Sequence, residues 1–101
     1  MPDSELWKQW KVTATNLRRA RQMLPENIAA EQIVEFEQYL DHNELGLAMD
    51  VLESIGRSCD CPGGFWRNMQ RAAETMKLTD RFNQYQIEFD RALSRAAKSD
   101  G

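Results

Sequence analysis

The apolar positions of this chain recur at intervals of three and four, and the period-two alternation of a half-buried strand is hard to find. Leu6, Trp10, Ala14, Leu17, Ala20 and Leu24 form a first stripe, predicting a helix over 4–24 with Asp3 or Ser4 as its cap. Lys8, Lys11, Arg18, Arg19 and Arg21 give that helix a basic face. Pro25 ends it, because proline pushes the preceding residue out of helical geometry. In "NIAAEQIVEFEQYL" a second stripe runs through Ile33, Phe36 and Leu40, flanked by Ile28 and Tyr39, with Asn27 as a candidate cap. The phrase "DHNELG" then breaks the period. Asn43 suits an N-cap, and Glu44 puts a negative charge in the first turn of a third helix, where the helix dipole favours it. Leu45, Ala48, Leu52 and Ile55 make the buried stripe of that helix, Leu47, Met49 and Val51 are less sharply placed, and Gly56 is its expected stop.

"RSCDCPGG" reads as the main loop, and Pro62 can sit in the first turn of the helix that follows. Phe65, Met69, Ala72, Ala73 and Met76 restore the helical period, with Trp66 packing sideways under the loop. Thr79 or Asp80 offers a cap for a last helix, whose apolar face is Phe82, Tyr85, Phe89, Leu93 and Ala96, with 97–101 fraying. The expectation is an all-α fold: one compact bundle of about five helices formed by a single domain over 1–101. A chain of 101 residues, 42% apolar, is the right size for one modest core.

Charge changes this picture more than composition does. The net charge is only −3, but it is segregated. Eight of the 16 acids fall between Glu26 and Gly56, namely Glu26, Glu31, Glu35, Glu37, Asp41, Glu44, Asp50 and Glu53, and no lysine or arginine lies among them. The other eight acids share the rest of the chain with all 13 basic side chains, which leaves −8 on the acidic helix pair 28–56 against +5 elsewhere. Pairs such as Glu31/Glu35 and Asp50/Glu53 accept mutual repulsion of a few tenths of a kcal/mol. Two arrangements follow from this segregation, and they are compatible. The acidic pair packs against basic helices of the same molecule, or it presents an acidic surface that steers a basic partner.

Candidate chemistry is sparse. "PGG" lacks the lysine and hydroxyl of a phosphate loop, and no strand precedes it. His42, the only histidine, stands between Asp41 and Asn43 where a turn is expected, a cheap place for a polar ring. Cys59 and Cys61 are two apart, too close for an unstrained disulfide, and with one histidine they fall short of a closed zinc site; reduced loop thiols are expected. An enzymatic reading would need His42 and both cysteines in one pocket. No catalytic, metal or cofactor residue is assigned. A pI near 5.1 argues against a nucleic-acid footprint. No window approaches the ~20 apolar residues of a membrane span, and "MPDSELWKQWK" lacks the apolar run of a signal peptide, so a cytoplasmic protein is expected.

The run "EFEQYLDHNELGLAMDVLESIG", followed by "FWRNMQRAAETMKL", resembles small bacterial immunity proteins, the all-helical partners of secreted polymorphic toxins in contact-dependent inhibition and Maf-type systems. The features that carry it are a phenylalanine helix ending in "YLDHNE", the phrase "LGLAMDVLESIG", and a later "FW" followed by "AAETM". They cover residues 33–78, about half the chain. The "CDCPGG" loop departs from that pattern, where a serine-proline turn is expected. What the resemblance implies is a cognate toxin as partner, bound and neutralised in the cytosol. Toxins of such systems are often nucleases with basic clefts, which carboxylates can occupy in place of phosphate. Glu35, Asp41, Glu44, Asp50 and Glu53 are the candidates for those contacts, and Tyr39 is the candidate aromatic anchor. The leading expectation is therefore a non-enzymatic immunity protein. The alternative is a helical adaptor or self-associating regulator, with Trp7, Trp10 and Trp66 contributing to a protein interface and a homodimer as one form.

Overall fold

A computed structural model describes residues 3–25, 28, 30–59 and 61–99. Five helices follow one another: α1 (Asp3–Gln22), α2 (Ala30–Asp41), α3 (Leu45–Ser58), α4 (Gly63–Thr75) and α5 (Thr79–Ser99). No strand occurs among the described residues, and the all-α expectation is met. The side chains of Asp3, Ser4 and Leu6, the cap expected at Asn27, and residues 100 and 101 of the expected fray lie outside what is described; α5 itself continues to Ser99.

Helix α4 is the centre of the bundle, packed against α1 on one side and α5 on the other; α2 pairs with α3, and α3 rests on α1 and touches α4. The core between them is built around Phe36, Phe65, Trp66 and Tyr85, all fully or almost fully buried, with Leu17, Met49, Leu52, Ile55 and Met69 filling between them. The predicted stripes of α2, α3 and α4 hold, and Met49 and Val51 join the buried set while Leu47 does not. On α1 the stripe is rotated. Trp10 is 40% exposed, and Thr13 takes the inward place. Its hydroxyl reaches Gln9 O on its own helix and the Thr75 hydroxyl on α4, which satisfies a polar group that burial would otherwise penalise. On α5, Ala92 is buried while Leu93 and Ala96 face outward.

The turns differ from expectation in an instructive way. Asn43 does not cap α3. It closes α2, with φ 55°, while Asn43 N donates to Leu40 O at 3.1 Å and Glu44 N to Tyr39 O at 2.8 Å. That pair of bonds is a Schellman motif, which uses a left-handed residue to satisfy the last carbonyls of a helix. Glu44 then becomes the residue preceding α3, without a side-chain capping bond. Lys77 repeats the device at the end of α4, with φ 59° and bonds from Lys77 N to Glu74 O and from Leu78 N to Ala73 O. Leu78 O accepts the first bond of α5, so Thr79 and Asp80 already lie inside that helix rather than capping it. Pro62 stands just before α4, not in its first turn.

A lysine in left-handed geometry costs about 1 kcal/mol that glycine does not pay. Lys77→Gly should therefore raise stability by up to ~1 kcal/mol. The check is the urea midpoint, which should rise at an unchanged slope. A lower midpoint would show that the lysine side chain holds the turn.

Gly56 is not a helix stop either. Helix α3 runs two residues further, and Gly56 is buried where α3 crosses α4. A Cβ at this position would sit 2.9 Å from Phe65 Cζ and 3.1 Å from Trp66 Cη2, so only glycine allows this approach.

Candidate functional site

The hairpin α2–α3 carries the acidic residues, and its geometry sorts the six candidates into three groups. Glu35, Tyr39, Glu44 and Asp50 come together. Tyr39 is half-buried, with its ring against the core. Its hydroxyl is hydrogen-bonded to Glu35, one turn earlier on α2. The Glu35 charge is the main reason the phenol is held above its ordinary value; burial, the bond to Glu35, and the charges of Glu44 and Asp50 add to it. One phenol thus senses three carboxylates from two helices. Asp41 is exposed but lies two residues beyond Tyr39, roughly 200° around the helix, and so faces elsewhere. Glu53 is drawn inward, away from any partner surface: its Oε1 accepts a bond from Tyr85 Oη at 2.7 Å, and its Oε2 is 3.6 Å from Arg57 Nε.

Three bridges cross from α3 to α5: Asp50 to Arg81, Glu53 to Tyr85, and Arg57 to Glu88 at 3.5 Å. Residue numbers rise together on both sides, so the two helices run parallel along this seam. Arg81 Nη1 is buried with no hydrogen-bond partner among the described residues, which leaves Asp50 as the arginine's carboxylate. The expectation that the acidic pair balances basic residues of the same molecule is therefore met for Asp50 and Glu53. Among the described residues, Glu31, Glu35, Glu37, Asp41 and Glu44 make no ion pair.

Two apolar residues on the hairpin's outer side escaped the sequence reading. Val34 is 56% exposed on α2, and Leu47 is 45% exposed on α3, one turn from both Glu44 and Asp50. Apolar side chains ringed by carboxylates are the usual anatomy of a docking face, with a desolvated centre and a charged rim. The available signal was Leu47 falling off the 45–48–52–55 stripe.

The other candidates separate. His42 is exposed, and its Nδ1 lies 2.8 Å from Gln38 O, so the ring serves the turn that ends α2. Cys59 and Cys61 are free thiols with Sγ atoms 3.0 Å apart, beyond the other end of α3. The helix between them and His42 is 14 residues long, about 20 Å, so the histidine–cysteine pocket does not form. Cys59 instead borders an open cleft of about 460 Å³ where Arg57, Glu88, Arg91 and Arg95 surround Trp66. Arg57 and Arg91 both pair with Glu88 there, and Arg57 lies 6.0 Å from the Trp66 ring centroid. Trp66 is 1% exposed, which removes it from the expected tryptophan interface.

The Tyr85 contact has a pH signature. Burial first, then the bond to Glu53 and its charge, hold the Tyr85 phenol well above its ordinary value of about 10, with Arg81 pulling the other way. A phenol harder to ionise in the folded chain leaves stability intact below pH ~10 and erodes it as pH rises further. Tyr85→Phe should cost about 1–2 kcal/mol near neutrality through the lost bond, and should flatten the alkaline decline. Tyr39, raised in the same direction, leaves a residual slope. Urea unfolding across pH 8–12 reads both effects, and an unaltered alkaline slope would dismiss Tyr85 as their source.

No family model, curated protein or solved structure matches the chain. Its function has to be argued from this surface.

Proposed function

We propose that this chain is a protein-binding module without catalysis of its own, whose acidic α2–α3 face docks and neutralises a basic partner, a cognate bacterial toxin domain of nuclease type. The observation that carries the reading is the convergence of Glu35, Tyr39 and Glu44 on an exposed face, with no basic side chain on α2 or on the first three turns of α3. Carboxylates held open in this way match the phosphate-binding groups of a nuclease cleft, which are arranged to receive anionic oxygens. Leu47 and Tyr39 supply the apolar contact that gives such a complex its residence time. Asp50 contributes its charge from a fixed position, since Arg81 already holds it.

The test is co-purification with the product of the gene immediately upstream. A one-to-one complex with a basic C-terminal toxin domain, weakening steeply with salt, supports the reading. An upstream product that is no toxin and is not retained argues against it, and leaves the self-associating alternative, which the exposed Trp7 and Trp10 favour.

A further inference from the structure

The positive charge that balances the acidic hairpin includes a helix with an outer face that nothing in the chain covers. Lys8, Lys11, Arg18 and Arg19 of α1 are exposed. Among them stand Trp7, Trp10 and Val12, at 57%, 40% and 49% exposure. Lys11 Nζ lies 5.0 Å from the Trp7 ring centroid, which aligns a cation with that ring. Val12 borders a shallow depression of about 420 Å³, flanked by Lys8, Lys11 and Arg19. The inner side of α1 is taken up by α4 and α3. Two tryptophans and a valine on one basic helix are more apolar surface than solubility explains.

We propose that α1 of one copy docks on the α2–α3 hairpin of a second copy. Each surface has what the other lacks. Exposed Val34 and Leu47 stand among Glu31, Glu35 and Glu44, which face no ion-pair partner among the described residues. The tryptophans and Val12 stand among free-standing lysines and arginines. Charge complementarity of this kind selects partner and register. Size selects the symmetry. A 20-residue helix laid on a hairpin covers roughly 30 by 10 Å, so one contact buries about 600 Å² in total, below the ~1,200 Å² of a stable interface. A two-fold pair makes the same contact twice and reaches that threshold. The dimer is therefore weak and salt-sensitive, and it covers the acidic face, so any basic partner of that face must displace it. The inference stands on the two surfaces and does not depend on the identity of such a partner.

Sedimentation velocity of the full chain, across a wide concentration range at low and high salt, tests it. Association at low salt that high salt dissolves is expected. The exposed double variant K8E/K11E should weaken it at least about tenfold, and adding E35K/E44K in the same chain should restore it by swapping the signs. A chain monomeric at every concentration overturns the proposal, as does association indifferent to K8E/K11E, or a folded four-site variant that fails to recover. A chain that stays monomeric but sediments with phosphatidylserine-containing vesicles, losing that ability in K8E/K11E, overturns it in favour of a membrane surface. Because K8E/K11E leaves the hairpin intact, capture of a basic partner by that variant reports on the acidic face separately.

Discussion

Trp66→Ala is expected to cost the fold about 3–5 kcal/mol, the range for removing a large aromatic ring from a packed core. Trp66 is 1% exposed, packs edge-on against Phe65 with ring centroids 4.9 Å apart, and lies 5.7 Å from the Tyr85 ring. Its position lets three helices meet: α3 presses Gly56 against it, α4 carries it, and α5 supplies Tyr85. Truncation leaves a cavity that cannot collapse easily, because Phe65 and Tyr85 are themselves fully buried and fixed by neighbours. A domain this size has roughly 5–15 kcal/mol in all, so the variant keeps little margin at 37 °C. Thermal unfolding should show a midpoint lower by roughly 12 °C or more. Trp7→Ala, measured in dilute, high-salt solution, should stay within about 0.5 kcal/mol of the parent, since Trp7 stands in solvent. If the two tryptophan variants proved equally stable, the core would be centred elsewhere.

The second large effect concerns binding. Reversing Glu35 and Glu44 to lysine should weaken the complex with a basic partner by about 3–4 kcal/mol, a fall of more than a hundredfold. Both residues are exposed and neither makes an ion pair among the described residues, so the fold should be unaffected. Asp50 and Glu53 are poor choices for the same experiment. Lysine at Asp50 would face Arg81, and lysine at Glu53 would face Arg57 while depriving Tyr85 of its acceptor, so lost binding would be confused with lost stability. Isothermal titration, with circular dichroism on the variant, decides the matter. Full affinity in a folded E35K/E44K protein would remove the hairpin face from the interface.

The helices were legible because each buries a narrow stripe, and a stripe is a one-dimensional pattern. Leu45, Ala48, Leu52 and Ile55 can be read without knowing what lies opposite. What sits opposite is where reading stopped. Gly56 looks like a terminator from its own helix; only the Phe65 and Trp66 rings explain why a glycine stands mid-helix. Asn43 is equally at home as an N-cap or as a left-handed closer, and the choice rests on which helix needs its carbonyls satisfied. Glu53 and Asp50 shared the acidic pattern with Glu35 and Glu44, but Arg81, Tyr85 and Arg57 had first claim on them. No local pattern announces a partner 31 or 32 residues away. On α1, Thr13 hid inside because a hydroxyl can satisfy itself on its own helix and on Thr75.

The two faces of the α2–α3 hairpin belong to different constraints. Phe36, Leu40, Met49, Leu52 and Ile55 point into the bundle and must keep their volumes, whereas Glu31, Val34, Glu35, Gln38, Glu44 and Leu47 touch mainly water. Mutations at the second group are nearly free thermodynamically. A lineage carrying this fold can thus rewrite what the hairpin recognises, one side chain at a time, while inheriting its scaffold unchanged.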